Sequence, residues 1–140
     1  MKKIDYSKSL EQLEKDYWDK PDYDSYVVTT CHSMRKKPLK DVTVEELRLV
    51  IGQGFSLGYL MPMAIDVLAT DILAEGDLYE GDLLSNVVSV GTFDYWRSEK
   101  DKWTTMIELI NQNKDKIDNS SLTTMRGFRK KIEEFKKINN

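Results

Sequence analysis

Apolar residues recur at spacings of three and four along most of the chain, the pattern of helices with one buried face. Ser9-Leu10-Glu11-Gln12 has the form of a capping box. It predicts a short helix from Leu10 to about Tyr17, with Leu10, Leu13 and Tyr17 on one face and Pro21 as its stop. Asp22-Tyr23-Asp24-Ser25 predicts a turn and a second helix start. The helix from about Ser25 to Arg35 carries Val27, Val28, Thr29 and Thr30, β-branched residues that would also suit a strand. Thr43-Val44-Glu45-Glu46 is a second capping box. Its helix runs from Val44 to about Gln53, buries Val44, Leu47, Val50 and Ile51, and closes at Gly52 and Gly54, with Gly54 the better C-cap.

The densest apolar stretch comes next. A helix beginning near Gly58 or Tyr59 holds Pro62 in its first turn, where a missing N–H costs nothing. Leu60, Met61, Met63, Ala64, Ile65, Val67 and Leu68 leave it almost no polar face, which predicts a central, buried helix. Asp71 to Gly81 reads as a loop containing Gly76 and Tyr79, and Asp82 is a good N-cap for a short helix, Leu83 to about Val88. Thr92 caps a long helix, Phe93 to about Asn113, with Trp96, Trp103, Met106, Ile107 and Ile110 largely on one side. Asn119-Ser120-Ser121 starts a last helix with a stripe of Leu122, Met125, Phe128, Ile132, Phe135 and Ile138. Gly127 inside it would cost about 1 kcal/mol relative to Ala, which points to close helix contact. Together the elements predict an all-α, single-domain compact bundle of six to seven helices.

Length and composition sharpen this. A chain of 140 residues is one domain by the usual prior and large enough to need no disulfide or metal staple. The single Cys31 has no partner for an intramolecular bridge, so a reducing, cytoplasmic setting is expected. The opening residues MKKIDYSKSLEQ hold no apolar signal region. Leu57 to Ala69, broken by Pro62 and Asp66, is too short to span a bilayer, and no membrane association is expected.

Charge changes the picture more. Met1 to Arg48 carries ten basic and ten acidic residues. Leu49 to Trp96 holds no Lys or Arg but seven acids, Asp66, Asp71, Glu75, Asp77, Glu80, Asp82 and Asp94. Arg97 to Asn140 has eleven basic and seven acidic residues. An acidic middle repels phosphates and attracts cationic partners.

Candidate chemistry is thin. Cys31 and His32 are adjacent, and adjacent helical positions point about 100° apart, whereas a catalytic pair needs hydrogen-bond reach. One Cys and one His fall short of a zinc site. No catalytic residue, metal or cofactor is expected. Asp77 and Asp82 could be read as a hydrolase pair, but no phosphate loop, metal cluster or triad supports them. Arg126, Arg129, Lys130, Lys131, Lys136 and Lys137 leave a second alternative, a helical adaptor using a basic C-terminal helix on nucleic acid.

Ile51-Gly52-Gln53, the turn Tyr59-Leu60-Met61-Pro62 and Ala74-Glu75-Gly76-Asp77-Leu78-Tyr79-Glu80-Gly81-Asp82-Leu83-Leu84, in this order, resemble the immunity proteins of contact-dependent growth inhibition systems. The likeness covers about the middle third of the chain. It implies a helical, non-catalytic protein of the cytosol. Such proteins bind and block a cognate toxin C-terminal domain delivered by a neighbouring cell. The toxins are commonly nucleases with basic clefts, which suits the acidic block; direct nucleic-acid contact is not expected. The expected partner-binding residues are Asp71, Glu75, Asp77, Tyr79, Glu80 and Asp82.

Overall fold

The computed structural model describes residues 3–21 and 25–140. The turn expected at Asp22-Tyr23-Asp24 lies outside the described residues. Among the described residues there are nine α-helices and no strand. They are α1 (Leu10–Glu14), α2 (Tyr26–Met34), α3 (Val44–Gly52), α4 (Leu57–Thr70), α5 (Asp82–Val87), α6 (Phe93–Ser98), α7 (Lys100–Gln112), α8 (Lys114–Asp118) and α9 (Phe128–Lys136). Short 3-10 turns lie at Leu39–Asp41, Val90–Thr92 and Ser121–Thr124. The all-α expectation holds, with more and shorter helices than the expected six to seven.

Both capping boxes form. Ser9 accepts from the Gln12 N–H while the Gln12 side chain accepts from Ser9, and Thr43 and Glu46 do the same. Glu46 Oε1 also accepts from Lys37 Nζ at 2.8 Å. The β-branched run of α2 is helical, opened by Ser25 as N-cap. Gln53 caps α3 and Gly54 follows with φ +80°.

The central helix is α3, not α4. Leu47, Arg48, Leu49, Val50 and Ile51 are five consecutive buried residues, and α3 touches α2, α4 and α5. Five in a row take in every side of a helix, so α3 is enclosed all round over Leu47–Ile51, with its first turn partly open and Gly52 exposed. α4 buries Leu60, Met61, Ala64, Ile65 and Leu68, but Gly58, Asp66, Ala69 and Thr70 face solvent. Its apolar excess is spent at the edge of the core, where Tyr59, Met63 and Val67 are half-covered. Pro62 sits inside α4, past the first turn. The carbonyl deprived of a donor four residues back belongs to exposed Gly58, which keeps the cost low.

Three further expectations fail for tertiary reasons. α1 stops at Lys15, which turns left-handed, so Tyr17 is 65% exposed and shares no buried face with Leu10. The long helix expected from Phe93 breaks at Glu99, and Asn139 Nδ2 donates to the Trp96 carbonyl at 3.1 Å, capping the end of α6. The last stripe is not one helix: Leu122 lies in the Ser121–Thr124 turn, Phe128, Ile132 and Phe135 in α9, and Met125 and Ile138 outside both. Gly127 stands just outside α9 with φ +84° and nothing within 4 Å of the place a Cβ would take. It supplies a left-handed turn, not a close helix contact.

Candidate functional site

The loop between α4 and α5 is shaped by two carboxylates that reach it from helices. Asp82, the first residue of α5, is 1% exposed. Its Oδ1 accepts from Gly76 N at 2.7 Å, and its Oδ2 from Leu78 N at 3.0 Å and Tyr79 N at 3.3 Å. Glu45 of α3 accepts from the remaining N–H of the run, that of Asp77, at 2.9 Å. Four successive backbone donors, residues 76–79, therefore end on carboxylate oxygens.

Arg48 joins the two acids. Its Nε and Nη2 each donate to Glu45 at 2.6 Å, a bidentate pair, and its Nε lies 3.7 Å from Asp82 Oδ2. Gly76 is demanded by this closeness. A Cβ there would meet Glu45 Oε1 at 2.6 Å and Glu45 Cα at 3.2 Å. From α2, the Tyr26 hydroxyl donates to Glu45 Oε2 at 2.7 Å and lies 3.2 Å from Asp77 Oδ2.

The charges are fixed by these contacts. The Arg48 guanidinium is the main cause holding the Glu45 carboxyl down to about 2, against the cost of its own burial. The Glu45 carboxylate pushes the Tyr26 phenol up to about 12. Glu45 thus contributes stability that is complete above its ordinary value of 4.5 and is lost as pH falls toward 2. In urea titrations, the stability gap between wild type and Glu45→Gln should close over that window; a gap constant down to pH 2 would contradict the assignment.

The six expected partner-binding residues fall into three groups. Glu75, Asp77 and Glu80 are exposed along the loop, around Leu78, which is itself 63% exposed. Tyr79 is half-buried against the core, and Asp71 sits at the loop's base, accepting from Leu73 N at 3.0 Å and pairing with Lys116 at 3.5 Å. Asp82 is inside, so it shapes the loop and cannot touch a partner directly; nor does it cap α5, where Gly81 takes the N-cap position. The ion pairs of this region are Arg48–Glu45, Arg48–Asp82 and Lys116–Asp71. Among the described residues, Glu75, Asp77 and Glu80 join none. Sequence reading missed Tyr26 and Glu45, which line a groove with Glu75 and Asp77. The available signal was Glu45 three residues before Arg48, a helical ion-pair spacing.

Asp82 is bound up in the loop, so Asp77 and Asp82 are not a pair open to substrate. Cys31 is buried, its thiol pushed up by that burial, and His32 packs edge-on against Trp18 with ring centroids 5.0 Å apart. Among the described residues no group of His, Cys, Asp and Glu is arranged to hold a metal ion, and no helix is long and apolar enough to cross a membrane. Of the basic C-terminal residues, Lys131 is turned inward and donates to the Ser85 carbonyl and hydroxyl at 3.1 and 2.9 Å.

A family model described as CDI immunity proteins matches residues 12–106, a span from within α1 into α7. The chain belongs to this family, the immunity proteins of contact-dependent growth inhibition. No curated protein and no solved structure matches it. The matched span of this immunity protein contains α3, the carboxylate-shaped loop and α5 whole, and leaves α8 and α9 outside.

Proposed function

We propose that this immunity protein neutralises a cognate toxin domain by direct contact, and that the exposed edge of the loop at Glu75, Asp77 and Glu80 forms part of that contact. Family membership supports toxin binding as the activity. The observation that carries the choice of face is the loop itself. Three carboxylates free of cationic partners among the described residues stand on a backbone held by four hydrogen bonds. A surface already in shape loses little conformational entropy on binding. Its charge draws a cationic partner, and a toxin that cleaves nucleic acid has the basic cleft such a surface fits. Inhibition is then occlusion by a binding protein of the cytoplasm, without catalysis.

Co-expression tests this. A toxin domain encoded immediately upstream should kill cells alone and spare them when this chain is present; death despite a folded immunity protein would overturn the toxin reading. With Glu75, Asp77 and Glu80 all changed to Lys, association should slow at least tenfold in low salt and protection should fail. Because the three side chains are exposed, folding should be unchanged. A triple variant that binds as fast as wild type would remove the acidic edge from the mechanism and leave toxin binding standing.

A further inference from the structure

Helix α2 is a ridge between two concave surfaces. Tyr26 and Thr30 face the acidic groove of Glu45 and Asp77. Val27, Val28 and His32, on its other flank, line a cleft of about 460 Å³ with Trp18 and Phe55. Asp19, Lys20 and Gln53 add polar groups to this second cleft, so its apolar part is the floor and walls formed by Trp18, Val27, Val28 and Phe55, and Phe55 is 47% exposed. Its volume lies in the range of about 300–1,000 Å³ in which concave sites hold ligands.

The walls of the cleft are held in place at a cost. Phe55 is carried between Gly54 at φ +80° and Ser56 at φ +55°, and Ser56 is not glycine, so its left-handed backbone is strained. The strain is pinned: Ser56 Oγ donates to Glu14 Oε2 at 2.9 Å, and Glu14 Oε1 accepts from Arg35 Nη1 at 2.6 Å. The same Arg35 lies over the Trp18 ring, 4.4 Å from its centroid. Phe55 then meets Trp18 edge-on at 5.8 Å. One ion pair, between buried Arg35 and half-buried Glu14, thus fixes both aromatic walls. A strained turn that presents an aromatic to solvent serves recognition better than it serves the core.

We propose that this cleft is the apolar half of the toxin contact and takes one aromatic or branched aliphatic side chain of the toxin domain. The inference rests on the toxin-binding reading above. Charge chooses the occupant. The acidic groove selects a cationic partner, and a helix with its side chains is about 10 Å across. A partner that places Lys or Arg in the groove therefore has its neighbouring residues over the cleft. The acids set the rate of encounter, and the apolar anchor sets how long the complex lasts.

The test compares Phe55→Ala and Val27→Glu with Asp77→Lys, using the full chain and the purified toxin domain. Val27 is partly exposed in the first turn of α2, where an acid suits the helix N-terminus, so that variant folds. Both cleft variants should dissociate at least tenfold faster, and Phe55→Ala, which changes no charge, should leave the salt dependence of association unchanged. Asp77→Lys should instead slow association in a salt-dependent way. If wild type binds and both cleft variants dissociate at its rate, the proposal falls while toxin binding stands. If Val27→Glu breaks up a dimer of this chain without altering toxin dissociation, the cleft serves self-association and the proposal falls. If wild type itself does not bind the toxin domain, the toxin reading fails and takes the cleft with it.

Discussion

Asp82→Ala is expected to destabilise the fold by about 3–5 kcal/mol, the usual cost of removing one partner of a buried ion pair. Asp82 is 1% exposed and serves Gly76, Leu78 and Tyr79 as acceptor and Arg48 as counter-charge. Each hydrogen bond to a charged acceptor contributes about 1.5–3 kcal/mol, and part of that returns when the loop's N–H groups reach water. What does not return is the Arg48 guanidinium, which is 9% exposed and keeps only Glu45. Asp82→Asn should recover little, because one acceptor remains and an NH2 now faces the loop's donors. The shift in urea midpoint measures the effect, and amide exchange at residues 76, 78 and 79 locates it. A loss below about 1 kcal/mol would mean that Glu45 alone holds the loop. Binding should suffer beyond the stability loss, since a loose loop must be ordered again at each encounter.

The same residue shows what sequence could convey. Ser9 to Gln12 and Thr43 to Glu46 were legible because a capping box is closed within four residues and needs nothing else. Asp82 was legible as important but not as buried. An aspartate before Leu83-Leu84 looks alike whether it caps a helix or gathers a loop. The deciding group is Arg48, brought alongside only when α3 packs on α5. Glu75, Asp77 and Glu80 kept the exposure their charge suggested, since no Lys or Arg follows Arg48 until Arg97. The helix breaks at Glu99 and Gly127 depend on partners equally distant in sequence or on backbone angle alone. Periodicity ran straight through both because the apolar stripe continues across them. The Trp18–Phe55 cleft was invisible for a related reason: its two walls meet through Glu14, Arg35 and Ser56, each from a different segment.

Trp96→Ala is expected to cost about 3–5 kcal/mol, a large share of the roughly 5–15 kcal/mol that holds a native domain together. Trp96 is fully buried. Its Nε1 donates to the Val87 carbonyl and to Thr92 Oγ1, both at 3.1 Å, and its ring meets Phe135 edge-on at 5.4 Å. The hydrogen bonds are the smaller part, because the Thr92 hydroxyl stands 2.8 Å from the Val87 carbonyl and 2.7 Å from that of Ser89, and its one proton can turn to Val87 when the indole is gone. Trp96→Phe should therefore cost much less, about 1–2 kcal/mol. Most of the loss in the alanine variant is cavity, and it opens at a particular seam. Trp96 lies within the family-matched residues, whereas Phe135 and the capping Asn139 lie in the segment beyond them. That segment closes the core from outside the matched span, which explains why its stripe is apolar and why Lys131 is drawn inward. In the alanine variant α9 should lose amide protection first, with the loop at residues 76–79 following only at global unfolding. Simultaneous loss in both places would mean that the C-terminal helices and the acidic loop unfold as one unit, and that shortening the tail should abolish protection as fully as changing the loop.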